Sequence, residues 1–195
     1  MDDDTLDAGS FAAWAAAMQA AIRGAADADV PCGTCTACCR SAQFVHIAPD
    51  ESDTLALIPR TLLFPAPGRP RGHVLMGYDE RGRCPMLRDG GCSIYPHRPR
   101  TCRSYDCRVF PAAGLDADED DKPEIAARAR RWRFTYPTPA DRIHADAVLA
   151  AAAHVRERDR GTGRPSSATR TAAAAVEIHD RFLPGGRGDA PAAGG

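Results

Sequence analysis

The sequence predicts an α+β fold, mainly helical, in which helices flank an irregular cysteine-rich core carrying small antiparallel hairpins. Three observations lead there. Apolar residues recur every three or four positions near the N-terminus and again beyond residue 123. All eight cysteines of the 195-residue chain fall between Cys32 and Cys107. Within that stretch, short apolar runs alternate with glycine turns, as brief hairpins do.

From Asp7 to Ala26, the residues Phe11, Trp14, Ala15, Met18 and Ile22 share one helical face. Gly24 breaks this helix and Pro31 closes it. A second, short helix is expected near Pro49, where Asp50 and Glu51 suit a first turn and Leu55, Leu57 and Ile58 follow before Pro59. The segment 64–72 holds three prolines and two glycines and reads as a loop. Between His73 and Tyr95, Val74-Leu75-Met76 and Ile94-Tyr95 alternate with Asp79–Gly82 and Asp89–Gly91, giving one or two small hairpins. The acidic run Asp116–Asp121 reads as a solvated loop.

Ile125, Ala129, Trp132 and Tyr136 then form a helical stripe that Pro137 stops. Thr138-Pro139-Ala140-Asp141 is a helix start, with a cap, Pro at the first position and an acid in the first turn. Ile143, Ala147, Leu149 (or Val148), Ala151 and Val155 carry that helix to about Arg160. A linker at 161–167 with capping serines precedes an Ala-rich helix ending near Phe182. The length suits a single domain over 1–183, with its cysteine-rich core at about 30–110, C-terminal helices at about 123–183 and a disordered tail at 184–195.

Twenty-five basic and 26 acidic side chains leave a net charge of -1, which argues against a protein that coats nucleic acid or an anionic membrane. The basic residues include a single lysine, Lys122, and the arginines span the whole chain, so most of that excess reflects coding bias. Met1-Asp2-Asp3-Asp4 has the wrong charge for a signal peptide, and the longest apolar run, Phe11 to Met18, falls short of the ~20 residues that span a bilayer. A cytoplasmic protein is therefore expected, in which thiols stay reduced and a cysteine cluster binds metal in preference to forming disulfides.

The first group, Cys32-x2-Cys35-x2-Cys38-Cys39, has the two-residue gaps that let consecutive thiolates converge from a tight turn. Gly33 and Thr36 suit such a turn, whose backbone N–H groups should face the sulfurs. Cys38 and Cys39 are adjacent and their side chains diverge. One of them serves a second centre, completes a polynuclear cluster or stands behind the ligands. The second group, Cys84-x7-Cys92-x9-Cys102-x4-Cys107, is too widely spaced for one knuckle and must fold back onto the first. Soft thiolates select zinc or an iron–sulfur cluster and exclude magnesium and calcium.

His46, His73 and His97 lie inside the cysteine region. His97 is the one candidate extra ligand, although a solvated loop histidine is the better reading. His144, His154 and His179 read as surface residues of the C-terminal helices. Arg40, Arg98, Arg100, Arg103 and Arg108 crowd the cysteines and read as neutralising a thiolate–metal centre, with Arg98 and Arg103 placed beside the cofactor. Tyr95, Tyr105 and Trp132 read as core or cover.

Cys32-x2-Cys35-x2-Cys38-Cys39, then Cys84-Pro85-Met86-Leu87 with Gly91-Cys92-Ser93-Ile94-Tyr95, then Arg98-Pro99-x2-Cys102-Arg103-x-Tyr105-x-Cys107 resembles the YkgJ-like CxxCxxCC family. The resemblance covers about residues 30–110 and implies a zinc- or iron-chelating domain with all eight cysteines as ligands. A related motif occurs in flagellin lysine methylases, where it implies an iron–sulfur cluster, but this chain has no glycine-rich segment that reads as a methyl-donor pocket.

The expected function is a cytoplasmic metal-binding protein that chelates an iron–sulfur cluster, of the four-iron, four-sulfur type, or Zn2+. Two alternatives are a cluster-dependent protein-modifying or redox enzyme and a structural zinc module that presents its helices to a protein partner. No catalytic constellation is identified, which tilts the reading away from an enzyme.

Overall fold

The computed structural model describes residues 5–26, 30, 32–117, 122–161 and 166–185. Their contacts form two compact units: Met1–Ala26 with Cys107–Ala117 and Ala129–Gly195, and Asp27–Asp106 with Asp118–Arg128. The architecture is α+β and mainly helical, with small sheets. Residues 118–121 of the acidic run, 162–165 of the linker and the tail beyond 185 lie outside the described residues. Among the described residues no helix is long and apolar enough to cross a membrane.

The first unit opens with strand β1 (Leu6–Ser10), paired in parallel with β7 (Trp132–Thr135). The register shifts between Asp7 and Gly9, where Gly9 adopts φ +81° and its N–H donates to Asp7 Oδ1 at 2.8 Å. Helix α1 therefore runs over Phe11–Ile22, and the expected start at Asp7 is corrected. The stripe read from Ile125 to Tyr136 is corrected too. Helix α5 covers Pro123–Ala129 only, and the chain from Trp132 turns into strand. Trp132-Arg133-Phe134-Thr135 alternates aromatic and polar residues, and the distant β1 decides between the two periods. Phe134 then packs against Phe11 and Trp14, with ring centroids 4.8 Å away in each case.

Helix α6 (Pro139–Gly161) buries Ala147, Val148, Ala151, Ala152 and Val155, and α7 (Ala168–Ile178) buries Ala172, Ala175 and Val176. Small residues on both faces let the two helices approach closely. Val148 faces inward, while Leu149 is 46% exposed. Ser167 caps α7, its hydroxyl accepting from the Arg170 N–H, and a 3-10 turn over His179–Phe182 follows. Helices α1 and α4 (Val109–Ala112) pack on α7, with Val109 and Phe110 buried.

His179 corrects the surface reading, being 1% exposed. Its Nδ1 donates to Val176 O at 2.7 Å, so in the neutral ring Nε2 accepts from His144 Nδ1 at 3.0 Å. Burial lowers its pKa, as does the neighbouring His144. His154 is exposed, as expected.

Asp141 joins α6 to α1. Its Oδ1 accepts from Ser10 Oγ at 2.6 Å and from the Ala12 N–H at 2.9 Å, and its Oδ2 accepts from Thr138 Oγ1 at 2.6 Å and the Thr138 N–H at 2.9 Å. One buried carboxylate thus satisfies N-terminal groups of two helices.

The second unit contains β2 (Val45–Ile47), α2 (Ser52–Leu57), β3 (Leu63–Pro65), β4 (Val74–Met76), β5 (Leu87–Arg88), β6 (Gly91–Cys92) and α3 (Arg100–Ser104). Strands β2, β4 and β3 form an antiparallel sheet with β4 central. Strands β5 and β6 form the expected hairpin, turning through Asp89 (φ +50°) and Gly90 (φ +79°). Val45, Ile47, Ile58, Met76, Met86 and Ile94 make its apolar core, against which Cys84, Cys92 and Cys102 pack. The 64–72 loop joins β3 to β4, although Phe64 and Pro65 belong to the strand.

Hydrogen bonding in the fold holds the Asp141 carboxyl far below the usual carboxylate range. Its stabilising contribution is therefore present above the unfolded carboxylate pKa of about 3.9 and is lost as pH falls below it. Asp141→Asn should lower the thermal midpoint by several degrees at pH 7, because one amide oxygen cannot serve four donors. The gap from wild type should narrow in melts taken below about pH 4.

Candidate metal centre

The second unit holds a pocket of about 110 Å³. Cys32, Cys35, Cys38 and Cys39 of the first cysteine group line it, together with Cys84, Cys92 and Cys102 of the second. The folding-back expected of the widely spaced second group is thus observed for three of its four cysteines. Cys107 is not among the lining residues. It opens a segment of the first unit, where its Sγ accepts from Trp132 Nε1 at 3.1 Å.

Local structure delivers each sulfur. The Cys35 N–H donates to Cys32 O at 2.9 Å and closes the first turn, in which Gly33 takes φ +55°. That left-handed conformation suits glycine. The Gly33 N–H points to the Tyr95 hydroxyl at 3.4 Å and not to a sulfur, which corrects the expectation for this turn. Cys38 and Cys39 share a 3-10 turn over Cys38–Arg40. The Cys84 N–H donates to Cys39 O at 2.8 Å, stitching the two groups together through the backbone. Cys92 ends β6 and Cys102 sits in α3.

The remaining walls are largely apolar: Phe44, Val45, Met76, Met86 and Ile94, with Tyr95 and Tyr105. Burial pushes the Cys39 thiol up to about 12, helped by Cys84, Cys92, Cys32 and Cys35. It pushes Cys102 up further, and Cys84 up as well. These sulfurs are neutral thiols at physiological pH unless a cation stands among them. Among the described residues no three donor groups converge closely enough to ligate a single ion, so the thiols line a chamber and do not close a tetrahedron.

Of the five arginines read as neutralising, the chamber takes one. Arg98 lines it and is 5% exposed. Arg103, on α3, is half-buried and does not line it, although its backbone O accepts from the Val30 N–H at 2.8 Å. Arg40 donates to Thr36 Oγ1, and Arg100 pairs with Asp50 at the surface. Arg108 lies in the first unit, 5.6 Å over the Trp132 ring. His97 is exposed and outside the lining, while His46 and His73 bond to each other at 2.9 Å. Tyr95 and Tyr105, read as core or cover, form part of the chamber wall. Their positions beside Cys92 and Cys102 were a usable signal, whereas nothing near Phe44 or Met76 announces a pocket.

The family model CxxCxxCC, described as "Putative zinc- or iron-chelating domain", matches residues 31–129. No curated protein and no solved structure matches the chain.

Desolvation should also order thiol reactivity in metal-free, reduced protein. Cys39 and Cys102 should alkylate slowest at pH 8, with the Cys39 rate rising about tenfold per pH unit until its thiol titrates. Peptide-resolved mass spectrometry of timed alkylation reads this directly. Equal rates at all seven chamber cysteines would show that they share one solvent environment.

Proposed function

The chain belongs to the CxxCxxCC family of zinc- or iron-chelating domains, and from that premise we propose that its chamber thiols hold an iron–sulfur cluster. One observation carries the reading: seven cysteines line a single pocket. A tetrahedral ion takes four ligands, so this donor set suits a polynuclear centre, in which adjacent Cys38 and Cys39 serve different metal atoms. The pool comprises Cys32, Cys35, Cys38, Cys39, Cys84, Cys92 and Cys102. Cys107 stands outside it.

When bound, such a cluster supplies one-electron chemistry or a rigid structural node. The protein's own contribution is to desolvate the sulfurs, exclude water with Met76 and Met86, and place one cationic side chain, Arg98, on the wall. The reading extends to a metal-binding protein of the cytoplasm, where thiols stay reduced.

Anaerobically purified protein should be brown, with broad absorption near ~400 nm from sulfur-to-iron charge transfer, and should contain iron and acid-labile sulfide. Colourless protein with stoichiometric zinc would overturn the cluster reading and leave a zinc centre, since d10 zinc has no such band.

Alanine at Cys32, Cys35 or Cys102 should strip most of the metal, whereas Cys107→Ala should retain it. Metal analysis of the four variants checks this. Metal loss in Cys107→Ala equal to that in Cys102→Ala would return Cys107 to the ligand set.

A further inference from the structure

The outer face of the β2–β4–β3 sheet carries large aromatic side chains that the fold leaves exposed. Val45, Ile47 and Met76 point into the core, so the alternate positions of these strands point the other way. His46, Leu75 and Phe64 stand opposite one another in a single row of that outer face. Phe44, one residue before β2, lies over the same face. Its ring meets Phe64 edge-on with centroids 5.9 Å apart, and Tyr78 with centroids 5.1 Å apart. The rings close over Gly77, where a Cβ would come within 3.7 Å of both Phe44 and Phe64. Phe44, Phe64 and Tyr78 are 57%, 39% and 42% exposed.

A lone exposed ring is ordinary, whereas three in mutual contact make a patch. Along the sheet the patch gives way to polar ground. His46 and His73 stack with ring centroids 5.1 Å apart and share a hydrogen bond of 2.9 Å. Arg69, in the loop between β3 and β4, lies close enough for its charge to disfavour protonation of His46. That loop holds Arg69 and Arg71 and no acid, and among the described residues no carboxylate pairs with either. The carboxylates that reach the two histidines are already engaged. Asp50 pairs with Arg100, and Glu51 accepts from the Ala48 and Arg100 N–H groups.

Size and charge decide what covers this face. A large ring can bury about 150–250 Å², so the three exposed fractions amount to on the order of 300 Å². A stable dimer takes about 800 Å² from each partner, too much for a second copy held by this patch alone. One or two apolar side chains of a peptide fit it. Nucleic-acid bases stack on open ring faces, whereas Phe44 meets Phe64 at 89° and Tyr78 at 48°. The unpaired arginines of the loop favour an anion beside the apolar anchor. We propose that this face docks a short acidic segment of a partner protein, its apolar side chain on Phe44, Phe64 and Tyr78 and its carboxylate at the Arg69 end. Phe44 also lines the thiol chamber, so the segment docks beside it.

The test uses the full chain, reduced and as purified. Its probe is a set of immobilised synthetic peptides, each with two leucines at varied spacing, whose net charge runs from strongly acidic to strongly basic. Binding should be confined to the acidic members and should weaken about tenfold or more in Phe64→Ser and in Arg69→Glu. Arg156→Glu makes the same change in net charge on an exposed position of α6 and should bind as wild type does. Arg69 is an exposed loop residue, so its variant reports even where Phe64→Ser loosens the sheet.

Binding that ignores peptide charge, favours the basic members or fails throughout would overturn the proposal. So would binding that survives both Phe64→Ser and Arg69→Glu. Equal weakening in Arg69→Glu and Arg156→Glu would overturn it too, assigning the effect to the charge of the whole chain. A dimer in sedimentation that Phe64→Ser abolishes would give the face to a second copy instead. An oligothymidylate bound more tightly than any peptide, and lost in Phe64→Ser, would give it to nucleic acid. None of these readouts requires a filled chamber, so they stand apart from the cluster reading.

Discussion

Desolvated sulfur is the constraint around which the second unit is built. A protonated cysteine packs as a small hydrophobe, and Cys84, Cys92 and Cys102 pack as such against Met76, Met86 and Ile94. The same position is hostile to a thiolate, since burial and neighbouring sulfurs both raise the cost of ionisation. The chamber is therefore at ease in two states only: neutral and apolar, or ionised around cations. A design that tolerates the first and gains from the second ties metal binding to proton release and to folding.

Bringing seven sulfurs to one pocket takes a backbone with little regular structure, and unpaired peptide groups would be expensive there. The second unit meets this with buried polar side chains used as ties. Glu51 accepts from the N–H groups of both Ala48 and Arg100. Thr101 donates to His46 O and Thr54 to His97 O, each at 2.7 Å. The Glu51 and Thr101 bonds anchor α3, and with it Cys102, to α2 and β2. The first unit solves the opposite problem. Its long alanine-rich helices satisfy themselves along their length, and the difficulty is confined to their ends, where Asp141 serves both α1 and α6.

Legibility in the sequence followed the range of the interactions. The C-terminal helices were readable because a helix repeats its own signal every turn, and the Asp89–Gly91 turn was readable because its positive φ values are a local demand. Strands β1 and β7 were missed because neither is stable alone; each exists through a partner more than a hundred residues away. His179 was misplaced for a related reason. Its environment comes from Gln19 and His144 on other helices, which no periodicity of its own segment reports. The convergence of the two cysteine groups was legible because gaps too wide for a single knuckle require the second group to fold back onto the first. That Cys107 is not among the lining residues was not legible, because a gap of four residues does not say which contacts the fifth one makes.

The arginines show how far charge counting carries before structure is needed. Five guanidiniums near the cysteines look equivalent in sequence, yet their electrostatic weight differs by burial more than by proximity. Arg100 spends its charge on Asp50 at the surface, where water and salt screen both. Arg40 is exposed and hydrogen-bonded to Thr36. Arg98 alone among them is buried, on the chamber wall, with its fork bonded to Tyr95 O and Val30 O.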